Sequence, residues 1–238
     1  GVIMVDIYVF DRDFNFLGIV DEYVSVIWRP SFSEIGDFEI YLGATEKAVN
    51  LLQAENIVVR SSDITIDAAG NTTYKKAMII KGIQLVTDVE NGDFLTVTGK
   101  ELKNILSQRV VWVQTVLEGT AENAIRKLVT DNAISPNIIE RKIPGLMLGA
   151  SLGLSDKISK QYTGDNLATA IVEMCIMFDY GWDVYRYNDS FIFEVCTGVD
   201  RSHGQTDRPF VVFSENFENL YSTEYLKNAE TFANTALV

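Results

Sequence analysis

Asp11 to Ala44 read DRDFNFLGIVDEYVSVIWRPSFSEIGDFEIYLGA. The polar turn Asp11 to Asn15 separates two β-rich runs, Ile3 to Phe10 and Leu17 to Ile27, and this pattern predicts a hairpin. Phe38 to Leu42 predicts a further strand, and Trp28-Arg29-Pro30 falls at a strand end. Asp11, Asp13, Asn15 and Glu22 imitate the spacing of a calcium loop. Such a loop needs glycine at its sixth position and flanking helices; here the sixth residue is Phe16 and strands flank the turn. The stretch therefore reads as antiparallel sheet rather than as a catalytic or metal site.

Further along the chain the strand signal continues to about Thr98. Thr45 caps a short helix carrying Leu51 and Leu52 and ending near Asn56. Ile57 to Ile66 and Tyr74 to Ile80 flank Ala68-Ala69-Gly70-Asn71. Gly82 to Val89 and Phe94 to Thr98 flank Glu90-Asn91-Gly92-Asp93, where Asn-Gly tolerates the positive φ of a tight hairpin turn. The period then changes. Lys100 to Gln108 predicts a short helix. Thr120 to Ala133 predicts a longer one, with Thr120 as cap and Ala121, Ile125, Leu128 and Val129 on one face. Asp165 to Phe178 predicts another, with Leu167, Ile171, Met174, Cys175 and Phe178 inward and Gly181 past its end. Trp182 to Tyr187 and Phe191 to Val195 make a hairpin around Asn188-Asp189, and Pro209 to Ser214 and Leu220 to Tyr225 return to strand.

The chain has 238 residues, enough for a sizeable core. Hydrophobic residues make up 47%, which argues against disorder. With 20 basic and 33 acidic side chains the formal charge is −13. That balance disfavours nucleic-acid backbones and anionic membrane surfaces, both of which call for clustered Lys and Arg. The N-terminal GVIMVDIYVF lacks the basic region of a signal peptide and reads as strand. Gly1, with Met4 internal, reads as an expression scar or an excised fragment. The apolar run Ile143 to Leu154 is about a dozen residues, too short to span a bilayer.

Candidate chemistry is sparse. Gly145, Gly149 and Gly153 recur every fourth residue, but in a short segment after Pro144 they predict a loop or strand with close backbone packing. Gly99-Lys100 lacks the glycine frame of a phosphate loop. His203 is the one histidine, and a Cys196/His203 nucleophile pair would have to use it. It lies in the polar loop Arg201-Ser202-His203-Gly204-Gln205. Two separated cysteines, Cys175 and Cys196, and one histidine are too few for a zinc site. Asp21-Glu22 and Asp88 with Glu90 are acidic pairs of the kind chance places in an acidic chain. The sequence therefore assigns no catalytic, cofactor-binding or metal-binding residue. Most aromatics alternate within strands as packing residues. Trp28 with its neighbour Arg29, and Trp112, are the exceptions: at strand ends they are candidate subunit contacts.

Several segments together resemble a siphophage tail protein family of the tail-tip or baseplate-hub type. They are Ile7-Tyr-Val-Phe-Asp11, Leu17-Gly18-Ile19-Val20-Asp21, Ser25-Val-Ile-Trp28 and Gly36-Asp-Phe-Glu39-Ile-Tyr-Leu42. Further on come Gly99-Lys-Glu-Leu102, Arg109-Val-Val-Trp112, Gly119-Thr-Ala-Glu122-Asn-Ala-Ile-Arg-Lys-Leu128 and Arg141-Lys-Ile-Pro144. Phe213-Ser-Glu-Asn-Phe-Glu-Asn-Leu220 and Asn234-Thr-Ala-Leu-Val238 complete a collinear series along nearly the whole chain.

The resemblance implies a hub subunit, usually trimeric, that forms a ring ending the tail tube and is built like the myophage baseplate hub from tube-like β-barrels and inserted α/β domains. Implied neighbours are the distal tail protein, the tape-measure protein and tail fibres. The implied location is the virion tail, after synthesis in the bacterial cytoplasm. The family continues beyond Val238, so a C-terminal part is expected to be missing and a second barrel left incomplete. The expectation is an α+β chain. Its barrel-like β-rich domain covers 1–108, an inserted α+β domain 109–204, and 205–238 begins a second β-rich domain. It is expected to be structural and non-enzymatic, without a cofactor. An adhesin-like carbohydrate-binding module is the alternative, and a cell-wall hydrolase comes third. The acidic charge would suit a lumen along which DNA slides without sticking.

Overall fold

The computed structural model describes residues 5–88, 92–217, 219, 220, 222 and 224. The chain divides into two compact units, Gly1–Gly198 and Val199–Val238. The first is mixed α+β and rich in strands.

Its largest element is a seven-stranded sheet. In chain order the strands are β1 (Ile7–Phe10), β2 (Phe16–Val20), β3 (Ser25–Arg29) and β4 (Asp37–Gly43), then, after helix α1 (Glu46–Leu51), β5 (Ile57–Arg60). The short pair β6 (Ile64–Ile66) and β7 (Thr72–Tyr74) precedes the long hairpin β8 (Met78–Asp88) and β9 (Gly92–Glu101). Spatial order in the large sheet is β2-β1-β5-β8-β9-β4-β3. The β1–β2 hairpin turns at Asp11 to Asn15 as expected, pairing Ile7 with Val20. The β8–β9 hairpin pairs Asp88 with Gly92; the expected turn residues Glu90 and Asn91 lie outside the described residues.

The run Leu17 to Ile27 is not one strand. It breaks at Asp21 to Val24, and its halves, β2 and β3, occupy the two opposite ends of the sheet. Four residues span about 17 Å at most between their flanks, so the sheet must curl until its ends approach. The curl encloses a core. Ile7 and Val9 of β1, Val20 of β2, Phe38, Ile40 and Leu42 of β4, Val58 of β5, Met78 and Ile80 of β8, and Leu95 and Val97 of β9 all bury into one cluster. Helix α1 plugs it with Ala48, Leu51 and Leu52, and Thr45 caps that helix by accepting the Ala48 N–H at 3.1 Å. Nevertheless β2 and β3 exchange no ladder, so the expected barrel is corrected to an open roll. The short link and the wedge of α1 against β2 hold the ends near each other without bringing backbone to backbone.

Two other sheets complete this unit. Strand β10 (Thr115–Thr120) runs into helix α2 (Ala121–Val129) and a π-helical turn, Thr130–Ile134. After β11 (Leu146–Leu148), β12 (Lys157–Tyr162) pairs β10 as a two-stranded ribbon that the sequence pattern did not announce. Helix α3 (Leu167–Phe178) leads into β13 (Tyr180–Tyr187) and β14 (Ser190–Thr197), a hairpin turning at Asn188 with φ of 47°. The second sheet has order β11-β14-β13-β7-β6. Ile57 to Ile66, expected as one strand, is thereby split: β5 stays in the roll and β6 crosses to the second sheet through a 3₁₀ turn at Ser61–Asp63. A larger core fills the space between. It joins Phe10, Ile57, Val59 and Ile79, from the outer face of the roll, to Leu117, Ile125, Leu128, Ile171, Met174, Trp182 and Phe193.

Local details depart from expectation in instructive ways. Lys100 to Gln108 is β9 to Glu101 followed by a 3₁₀ helix, Leu102–Gln108. Thr120 precedes α2 without a side-chain capping bond, and Asp179, not Gly181, takes the left-handed position after α3. In the second unit Pro209 to Ser214 forms no strand; it lacks a ladder partner among the described residues, where a 3₁₀ turn at Glu215–Phe217 is the regular element. Of the expected strand Leu220 to Tyr225, residues 221, 223 and 225 lie outside the described residues.

Candidate functional site

Gly36-Asp37-Phe38-Glu39 acquires its meaning from the loop before it. Residues 31 to 36 leave β3 and cross to β13, where Trp182 donates its indole N–H to Ser33 O at 2.7 Å and Ser33 Oγ donates to Tyr180 O at 2.7 Å. Beneath the loop lies a fully buried ion pair, Lys103 Nζ to Glu101 Oε2 at 3.2 Å. Glu101 Oε2 accepts the Gly36 N–H at 2.6 Å and the Ser31 N–H at 3.3 Å. Lys103 donates to Ser31 O at 2.7 Å and Trp182 O at 3.3 Å, and its ammonium sits 5.1 Å from the Trp182 ring centre. A Cβ on Gly36 would lie 2.1 Å from Arg29 O and 2.9 Å from Glu101 Oε2, so the carboxylate reaches the backbone only because residue 36 has no side chain. Sequence reading found the Gly36 segment but not this clamp, because Lys103 and Glu101 resemble surface residues until their partners are known.

The candidate contacts fall in two places that no observed contact joins. Trp28, on the end strand β3, packs its ring 5.3 Å from that of Phe38 at the edge of the roll's core, with the Arg60 guanidinium 5.4 Å above it. Its indole N–H is buried without an acceptor, which leaves a polar group uncompensated. Arg29 points the other way, into solvent, and pairs with Asp37 at 2.6 Å. That bond, aided by Lys100, holds the Asp37 carboxyl below its ordinary range. Around this open seam Phe16, Leu17, Val24 and Ile27 are exposed.

Trp112 lies beyond the 3₁₀ helix, in a depression shared with the π-helical turn. Its backbone N–H is fixed by the buried Asn132 Oδ1 at 3.0 Å, yet the residue is 58% exposed. The Arg141 guanidinium stacks 5.0 Å from the ring centre. Burial and the neighbouring Arg109 charge push the Arg141 pKa down.

The other candidates resolve into structure. Asp11 accepts the N–H groups of Asp13 and Asn15 at 2.9 and 2.8 Å and the Asn15 side-chain amide at 2.8 Å. Asp67 repeats the arrangement with Ala69 and Asn71. Both Asp-x-x-x-Asn stretches are self-bonded hairpin turns. Cys196 is half-buried in β14, and burial, chiefly, raises its thiol pKa, which opposes the thiolate a nucleophile needs. Cys175 is pushed up to about 12 by burial. His203, in the second unit, is exposed, with its ring 5.1 Å from that of Phe210. Asp21 and Glu22 are exposed, and Glu90 lies outside the described residues. Among the described residues no three His, Cys, Asp or Glu side chains gather as a metal site, and no helix is long and apolar enough to cross a membrane.

Comparison with solved structures finds likenesses at low identity. Prophage tail protein gp18 from Listeria monocytogenes EGD-e shares 14% identity over 79% of this chain and 50% of its own, with a TM-score of 0.46. The tail protein from Neisseria meningitidis MC58 shares 14% over 80% and 45%, with a TM-score of 0.39. The E. coli c3393 protein, a type VI secretion component with structural similarity to T4 tail proteins gp27 and gp5, shares 8% over 80% and 45%, with a TM-score of 0.36. The chain thus spans about half the length of these proteins. Comparison with curated proteins finds no match. A family model matches residues 6–238, and the chain belongs to the Siphovirus ReqiPepy6 Gp37-like protein family.

Proposed function

We propose that the chain is a structural subunit of a phage or prophage tail tip, of the baseplate-hub type, which self-assembles and meets other tail proteins. The observation that carries this reading is the open roll. Among the described residues, strands β2 and β3 each present a backbone edge without a ladder partner, flanked by exposed Phe16, Leu17, Val24 and Ile27. A free edge with apolar neighbours is a liability in water unless a partner covers it. Assembly through the seam would cover it, with Trp28 beneath the contact and the Arg29–Asp37 pair at its rim. In this reading residues 1–108 supply the tube-like part, 109–204 the inserted α+β part and 205–238 the start of a second β-rich part. The assembly is a homotrimer in the virion tail beside distal tail, tape-measure and fibre proteins, made in the bacterial cytoplasm. Its role is non-enzymatic, and the acidic charge faces the lumen of the ring.

Light scattering across a concentration series tests this. The expected result is a mass rising toward three chains, with Ile27→Lys lowering association while leaving the unfolding midpoint unchanged. A monomer at every concentration would overturn the assembly reading.

A further inference from the structure

The Trp112 depression has the chemistry of a ligand site rather than of a packing defect. It has a volume of about 380 Å³, which suits one or two sugar rings. Its walls come from the segment Trp112 to Val116, from α2 through Lys127, and from the π-helical turn with Asp131 and Asn132. A π-helical turn is rare and recurs at functional sites. Here it places Asn132 where it fixes the Trp112 backbone, so the indole is presented on a rigid mount. Val111 N–H donates to Asp165 O at 2.8 Å and anchors the preceding residue as well.

Charge adds to the aromatic face. The protein carries a net −13. Among the described residues Arg141 and its neighbour Arg109, like several other basic side chains, meet no carboxylate in a salt bridge; burial and the Arg109 charge are what act on the Arg141 guanidinium. Arg109 spends its Nε–H on Arg141 O, and Arg141 donates one Nη2–H to Val110 O. Asp131, the acid in the wall, is already paired with Lys127. The net charge of the lining is therefore positive, with guanidinium donors left over. Gln114, Ser135 and Asn137 add neutral donors and acceptors on the rim. An exposed aromatic face, neutral hydroxyl-matching groups and one unneutralised guanidinium form a coherent set.

We propose that this depression binds a negatively charged saccharide, with the Trp112 indole as stacking platform and the Arg141 guanidinium as partner of the anionic group. The site is independent of the assembly seam, which lies on β2 and β3.

The test titrates the full chain with glucuronic acid, glucose 6-phosphate, glucose and acetate, following tryptophan fluorescence and saturation-transfer NMR. At least one anionic sugar is expected to bind with a Kd of about 1 mM, with glucose and acetate about tenfold weaker or more. The carboxylate and phosphate probes tell the two anion types apart. Trp112→Ala and Asn137→Ala are each expected to weaken binding severalfold without moving the unfolding midpoint. Arg141→Lys should remove the preference for the anionic sugar over glucose. Failure of both anionic sugars to saturate would overturn the proposal. So would binding that survives Trp112→Ala, or acetate binding as well as the sugars do, which would mark a bare anion site. A carboxylate-bearing peptide displacing the sugar at far lower concentration would assign the site to a protein partner instead.

Discussion

Replacing Lys103 by Met isolates the ion pair beneath the 31–36 loop. Methionine keeps an unbranched apolar stem of similar length, so the cavity left is small and the change is chiefly electrostatic. Lys103 is 0% and Glu101 1% exposed, so Glu101 would remain as an uncompensated buried carboxylate. Ser31 O and Trp182 O would also lose their donor. Removing one partner of a buried pair costs about 3–5 kcal/mol. In a unit of this size each kcal/mol moves the midpoint by about 2–4 °C, so the drop should be roughly 6–20 °C. The double variant Glu101→Gln/Lys103→Met removes both charges and should fall short of the two single losses added together, because the pair shares one network. Thermal unfolding followed by circular dichroism reads all three. A Lys103→Met loss below about 1 kcal/mol would mean that water or another group compensates Glu101, and the clamp argument would fail.

Gly36→Ala forces a Cβ to within 2.1 Å of Arg29 O, whereas Gly43→Ala meets nothing within 4 Å. The first should lose roughly 3 kcal/mol or more in urea unfolding and the second stay within about 0.5 kcal/mol. Glu122 is buried at the start of α2; burial pushes its carboxyl pKa up, but bonds from Leu154 N–H, Ser151 Oγ and Leu152 N–H outweigh this and leave it depressed. A depressed folded value stabilises above the unfolded carboxyl range, near pH 4–5, and that stability is lost as pH falls through the folded value. Acid unfolding of Glu122→Gln should therefore show a lower plateau at neutral pH and a flatter acid limb; an unchanged acid limb would count against this account. Asp67→Ala removes the three bonds that close one exposed turn, and the longer one from the Tyr187 hydroxyl, and should lower the urea midpoint by less than Gly36→Ala does; an unchanged midpoint would show that the turn closes without them.

Much of the fold was written in local chemistry. Asp11 and Asp67 each stand four residues before an asparagine, and each turn closes on its own side chains, so the β1–β2 and β6–β7 turns were legible. The inward faces of α2 and α3 followed from spacing, and Ala121, Ile125, Leu128, Ile171 and Met174 are all buried. What was not legible depended on distant partners. Leu17 to Ile27 alternates as one strand would, and nothing local says that Asp21 to Val24 must bridge opposite ends of a sheet. Lys157 to Tyr162 reads as polar chain, yet Ile158 and Tyr162 face the core once β10 is beside them.

The same distinction separates the candidate sites. Trp28 and Trp112 looked alike as aromatic residues near strand ends, but their surroundings assign them opposite work. Trp28 is drawn under the roll by Phe38 and leaves an unpaired N–H inside, which is a stability cost that a covering subunit would not relieve directly. In the proposed assembly its contribution would be indirect: it sets the position of β3, and the exposed Ile27 and the strand's backbone edge would do the meeting. Trp112 has the reverse arrangement, a fixed backbone and a largely exposed residue whose ring has the Arg141 guanidinium over it, with spare donors. A partner chain at the seam gains backbone hydrogen bonds and apolar area, whereas a ligand at Trp112 gains stacking and charge. Raising ionic strength should then leave self-association nearly unchanged while weakening anionic-sugar binding, because salt screens the second kind of attraction and not the first. Equal salt sensitivity of the two would place both events on one surface and contradict the division drawn between them.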